Sequence, residues 1–132
     1  MHRILVVDDD ELIRTSVALA LHEAGYRVLE ADDGDDALGV ARAERPHLVL
    51  LDAIMTRLDG FATLGAMRLD PLLARTPVIM LTSQRRPEDV QRALSLSVSG
   101  YVLKPIVLSL LLDRTERALQ RTLRYSGVEW VD

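Results

Sequence analysis

The chain has 132 residues, 48% of them apolar and 27% charged, with a formal net charge of −4. That length fits one domain with a proper core and excludes a chain disordered throughout. The absence of cysteine excludes disulfides and thiolate metal sites and points to a reducing compartment. The acidic balance argues against nucleic acid as the main ligand.

Met1-His2-Arg3 leads into Ile4-Leu5-Val6-Val7, a run rich in β-branched residues that ends in Asp8-Asp9-Asp10. The run is too short for a signal peptide, and no apolar run approaches the ~20 residues of a membrane span, so a soluble, cytoplasmic protein is expected. A helix follows, with Ile13, Val17, Ala20, Leu21 and Ala24 on one face, Asp10 as its cap and Gly25 as its stop. Tyr26-Arg27-Val28-Leu29 is a second strand; its alternation and the charges of Arg27 and Glu30 suit a sheet edge. Asp33-Gly34 turns into a second helix through Ala37, Leu38 and Ala41, ended near Pro46. Leu48-Val49-Leu50-Leu51 is a third strand, closed by Asp52. Asp59-Gly60 opens a third helix carrying Phe61, Leu64 and Met67. Val78-Ile79-Met80-Leu81 is a fourth strand, followed by Thr82-Ser83. Pro87 suits the first turn of a fourth helix, with Val90, Ala93 and Leu94 on its inner stripe. Tyr101-Val102-Leu103 is a fifth strand, followed by Lys104-Pro105. A last helix starts near Val107, with Leu108, Leu111, Leu112, Thr115 and Leu119 inward.

Strand and helix alternate five times. Such alternation demands a parallel sheet covered on both faces, and a doubly wound five-stranded sheet in the order 2-1-3-4-5 is the expected architecture. Residues 1–124 form the expected domain. Residues 125–132, with Trp130, read as a C-terminal tail or the start of a linker.

In an open parallel sheet, ligands bind at the carboxyl ends of the strands. Four strands deliver Asp8, Asp9, Asp52, Thr82 and Lys104 to that edge. Clustered carboxylates raise one another's pKa, and a hard cation relieves the repulsion. An all-oxygen donor set without His or Cys selects Mg²⁺, with Mn²⁺ as a possible substitute. Taken singly, each residue has an ordinary explanation. Asp8 to Asp10 suit a helix cap and first turn, Asp52 a loop start, Thr82 a strand, and Lys104 a snorkelling surface position. Together they describe phosphoryl transfer to a carboxylate, with the cation and Lys104 neutralising the phosphoryl oxygens. Physics alone does not choose the attacking acid. Asp52, the single acid on its strand, is the natural nucleophile.

The stretches Ile4 to Asp10, Leu48 to Asp52 with Met55 and Leu58-Asp59-Gly60, Pro77 to Ser83, and Tyr101 to Pro105 make the chain from Arg3 to about Leu123 similar to a receiver domain of two-component response regulators. The resemblance implies a flavodoxin-like fold, Asp52 as phosphoacceptor, and Mg²⁺ held by Asp8, Asp9, Asp52 and the backbone carbonyl of Ile54. It makes Thr82 the switch hydroxyl and Tyr101 the switch aromatic, and gives Lys104 a cis bond to Pro105. It further implies a histidine kinase or phosphotransfer protein as donor, and a downstream protein or output domain as target. Homodimers through the fourth helix, fifth strand and fifth helix are a family habit. Thr56 stands where the family usually has Pro, Ser97-Val98 where it has Gly-Ala, and Ile106 where Phe is frequent.

Two rivals are weighed against this reading. A degenerate receiver would bind partners without phosphorylation. The Asp8-x-Asp10 spacing resembles haloacid dehalogenase-like phosphatases, in which the first Asp attacks and the second serves as acid and base, but Glu11-Leu12 replaces the Gly-Thr usual there.

Overall fold

The computed structural model describes residues 1–125, with side chains through residue 120. Residues 126–132, including Trp130 and nearly all of the expected tail, lie outside the described residues. The apolar runs form β1 (Arg3–Val7), β2 (Arg27–Ala31), β3 (Leu48–Asp52), β4 (Val78–Thr82) and β5 (Gly100–Leu103). They alternate with α1 (Glu11–Glu23), α2 (Gly34–Glu44), α3 (Gly60–Leu69), α4 (Pro87–Ser95) and α5 (Leu108–Tyr125). All strand pairs are parallel, in the order β2-β1-β3-β4-β5, as expected.

Local chemistry sets the boundaries. Asp10, Asp33 and Asp59 each accept a backbone N–H three residues on, capping α1, α2 and α3. Pro87 occupies the first turn of α4. Gly25 takes φ +97° just past α1, where an L side chain would be strained. The central strands β1, β3 and β4 are buried almost throughout, because helices cover both faces, and they read as unbroken apolar runs. One core layer joins Leu5, Val7, Val49, Leu51 and Met80 to α2 and α3. The other joins Ile4, Val6, Leu48, Leu50, Ile79 and Leu81 to α1 and α5. Both layers stop at the same sheet edge, where the polar residues begin.

Several helix faces differ from the sequence expectation. Leu94 is 62% exposed; α4 buries Ala93 as expected but also Asp89, with Arg86 Nε donating to Asp89 Oδ2 at 3.0 Å. Leu108 is exposed, and α5 buries Leu111, Thr115, Ala118 and Leu119. Ala24 is exposed as the C-cap of α1, and Ala18 is buried on that helix. Tyr125, placed at the start of the expected tail, belongs to α5.

Arg68 of α3 ties two loops together. Its guanidinium donates to the carbonyls of Leu96 and Thr76 at 2.8 Å each, and more loosely to those of Leu73, Ala74 and Ser97. Burial pulls its pKa below the usual arginine value. Ser97, one of these acceptors, sits at φ +58° in the left-handed region, a conformation costing a non-glycine residue about 1 kcal/mol. The fork thus holds the chain in a turn that its own residue disfavours. A lysine ammonium cannot span these carbonyls. Arg68→Lys should lower the unfolding free energy by about 2 kcal/mol, read as a lower denaturant midpoint at unchanged slope.

Candidate functional site

The strand register brings the polar residues together. Asp52 ends β3 beside Leu81 of β4, Thr82 ends β4 beside Leu103 of β5, and Asp8 and Lys104 directly follow β1 and β5. One carboxylate oxygen each from Asp8, Asp9 and Asp52 can be chosen so that all lie within 4.8 Å of one another. Lys104 Nζ donates to Asp8 Oδ2 at 3.0 Å and lies 3.4 Å from Asp52 Oδ2. Asp8 is 1% exposed and Asp52 4%, whereas Asp9 is open to solvent. The Lys104–Pro105 bond is cis.

Backbone donors hold the acids. Asp10 N–H donates to Asp8 Oδ1 at 2.9 Å, Ile54 N–H to Asp52 Oδ1 at 3.2 Å, and Thr56 N–H to Asp9 Oδ2 at 3.2 Å. Asp10 itself is exposed and caps α1, its Oδ1 accepting Ile13 N–H at 3.1 Å. Thr82 is buried, and its Oγ1 accepts Gln84 N–H at 3.0 Å; the Gln84 carbonyl in turn accepts the Tyr101 hydroxyl at 3.0 Å. Tyr101 is half-buried against the core layer under α3 and α4.

Electrostatics follow from this packing. Asp52 is pushed up to about 6, first by burial and then by the negative charge of Asp8; Lys104 and the Ile54 N–H pull it down less strongly. Burial alone would lower the Lys104 pKa. The hydrogen bond to Asp8 and the charges of Asp52 and Asp8 outweigh that, and its pKa lies above the usual lysine value.

Three contributors were not legible in the sequence. Gly60, read as a helix opener, lets the start of α3 lie against the end of β3: a Cβ there would land on the Asp52 carbonyl and 2.6 Å from the Ala53 Cα. Arg14 Nη1 donates to the Asp8 carbonyl at 2.8 Å while its Nε pairs with Glu30 of β2 at 3.2 Å. The Thr56 N–H could not be read as a donor to Asp9, since the two residues are remote in sequence. Only the spacing of Arg14 one helical turn beyond the acids offered a clue.

The response regulator receiver domain family model matches residues 4–116. The chain belongs to that family. This receiver domain is 35% identical over 126 residues to the transcriptional regulatory protein AfsQ1 of Streptomyces coelicolor, covering 96% of this chain and 55% of that protein. It is 38% identical over 103 residues to the alkaline phosphatase synthesis transcriptional regulatory protein PhoP of Bacillus subtilis, covering 78% and 42%. It thus spans about half the length of the curated relatives it matches. Among solved structures it resembles chemotaxis protein CheY4 of Vibrio cholerae, with TM-score 0.85, 34% identity, and 89% and 98% of the two chains covered. A CheY-like receiver domain protein of Methanospirillum hungatei gives TM-score 0.88, 28% identity, and 96% and 99% covered. Among the described residues of this receiver domain, no helix is long and apolar enough to cross a membrane.

The raised Asp52 pKa has a consequence for stability. Its folded value of about 6 lies above the ordinary 3.8, so folding favours the protonated carboxyl. That stabilisation is complete at low pH and is lost as pH rises through 6. Without metal, Asp52→Asn should therefore melt a few degrees above wild type at pH 8, with the gap about halved at pH 5 and closed only below the ordinary 3.8, in parallel thermal scans with chelator.

Proposed function

We propose that this receiver domain accepts a phosphoryl group on Asp52 and thereby switches the surface formed by α4, β5 and α5. The observation that carries the reading is the buried Asp52 carboxylate, set between the Lys104 ammonium and two further acids at one sheet edge. An all-oxygen cluster of that size fits Mg²⁺, or Mn²⁺ in its place. Asp8, Asp9, Asp52 and the carbonyl of Ile54 would hold it, and it would supply charge neutralisation for the transferring phosphoryl group.

The residues of the chain do the rest. An Asp52 oxygen forms a bond to phosphorus as the donor's P–N bond breaks and its electron pair leaves on the imidazole nitrogen. Lys104, fixed by Asp8, stays within reach of a phosphoryl oxygen. Thr82 reaches the same group by giving up Gln84 N–H. The donor is a phosphohistidine on a histidine kinase or phosphotransfer protein. An apolar groove of about 300 Å³ lies beside Lys104, lined by Leu12, Ile13, Pro105, Ile106 and Leu108.

Phosphorylation adds close to two negative charges. Moving a switch from 1:99 to 99:1 takes about 5.5 kcal/mol, more than one hydrogen bond provides, so cation, Lys104 and Thr82 act jointly. Tyr101, released from Gln84, then reorganises the α4–β5–α5 face, where Leu94, Leu103 and Leu110 are exposed. The target is a downstream partner or an output domain, and a homodimer through the same face is one form of the output. A degenerate receiver would need no ordered acid–lysine cluster.

Acetyl phosphate with Mg²⁺ should add one phosphoryl mass to the wild-type chain and none to Asp52→Ala by intact mass spectrometry. Label retained in Asp52→Ala and mapped to Asp8 would refute Asp52 as acceptor. Tyr101→Ala should still label but lose phosphorylation-dependent binding of its target or dimerisation. Unchanged binding would remove Tyr101 from the switch.

A further inference from the structure

Thr56 is where the acceptor loop departs from the family pattern, and the structure gives that departure a consequence. Its backbone N–H donates to Asp9 Oδ2 at 3.2 Å, across 47 residues of sequence. A proline, the usual family residue there, has no N–H and could not make this bond. Asp9 needs the help more than its neighbours do. It is the exposed acid of the three, and the charges of Asp8 and Asp52 push it outward. Asp8 is held by Asp10 N–H and Lys104, and Asp52 by Ile54 N–H with Lys104 close by. Among the described residues, the Thr56 N–H is the only hydrogen-bond donor to the Asp9 side chain. The loop offering it is anchored on both sides: Met55 is buried, and Arg57 pairs with Asp33 at 3.2 Å and Asp35 at 3.5 Å.

We infer that Thr56 is a positioning residue for the cation site, its backbone N–H orienting Asp9 toward Asp8 and Asp52 before any cation arrives. The inference rests on the receiver reading above and deepens it. Ordering the Asp9 side chain is then completed on folding. With no donor at position 56, the same ordering falls on the binding step, which weakens Mg²⁺ binding by about 2- to 10-fold.

The test is a Mg²⁺ titration of the unphosphorylated chain, followed by NMR amide shifts. Thr56→Ala removes the side chain and keeps the donor, and serves as the reference. Thr56→Pro removes the donor and should bind Mg²⁺ about 2- to 10-fold more weakly than Thr56→Ala. In an Asp9→Ala background the two variants should bind alike. Equal or tighter binding by Thr56→Pro overturns the inference, and so does an equal loss in the Asp9→Ala background, which would mean that proline only distorts the loop. Should Thr56→Pro fail to fold, amide hydrogen exchange decides. The Thr56 amide should be protected in the metal-free wild type and lose protection in Asp9→Ala; an unprotected amide, or protection indifferent to Asp9, refutes the contact. Failure of the wild type itself to bind Mg²⁺ would instead count against the receiver reading, which keeps the two separable.

Discussion

Like-charge crowding at one sheet edge is the constraint on which the site depends. Unit charges about 4 Å apart repel by roughly 4 kcal/mol at an effective dielectric of 20, so three adjacent aspartates do not assemble unaided. Lys104 supplies the compensating charge, and its position is itself a product of the fold. It follows β5, two strands from β3, and reaches across to Asp8. Asp8 is then fixed on every side: its N–H donates to Ala31, its carbonyl accepts Arg14, and its two carboxylate oxygens accept Asp10 N–H and Lys104. Burial first, and then the negative charge of Asp8, still raise the Asp52 pKa despite Lys104. A buried carboxylate left partly unpaid in charge is a receptive place for a cation, and in the proposed reading that receptivity is the function.

The same edge explains why the fold tolerates such a site. Below it, β1, β3 and β4 are sealed between two apolar layers, and after Arg3 at the start of β1 no charged side chain interrupts them before Asp52 closes β3. All the polar chemistry is therefore displaced to the carboxyl ends, where helix caps and loop N–H groups are plentiful. Gly60 lets α3 begin against the backbone of Asp52, which brings the Asp59 cap and the acceptor loop close to the cluster without a side chain in between.

The strands, their order and the five chemical side chains were legible because each rests on a local signal. A short β-branched run, a following acid or lysine, and alternation with amphipathic segments are all read within a few residues. The misplaced positions share the opposite property. Leu94 and Leu108 lie on helical stripes that sequence periodicity cannot bound, since how much of a stripe is covered depends on the neighbouring element. Arg68 resembles any surface arginine until two loops from elsewhere in the chain present their carbonyls to it. Backbone donors such as Thr56 N–H are invisible in principle, because every non-proline residue carries one and only the fold says where it points. What sequence did convey at position 56 was negative, the presence of something other than proline, and the structure converts that into a bond.

The path from acceptor to output surface is short. Thr82 and Tyr101 do not sit side by side in the chain, yet a single residue, Gln84, accepts from one and donates to the other through its own peptide groups. Its N–H occupies the hydroxyl oxygen of Thr82, and its carbonyl holds the Tyr101 hydroxyl. In the proposed mechanism Thr82 turns to meet a phosphoryl oxygen, and the turn moves the acceptor of the Gln84 N–H. Freed at one end, the Gln84 peptide is no longer constrained to present its carbonyl to Tyr101. In that proposal the two rearrangements are linked through the Gln84 peptide of the β4–α4 loop. No long relay through the core is needed, and the two buried layers on either side of the sheet can stay as they are while the surface changes.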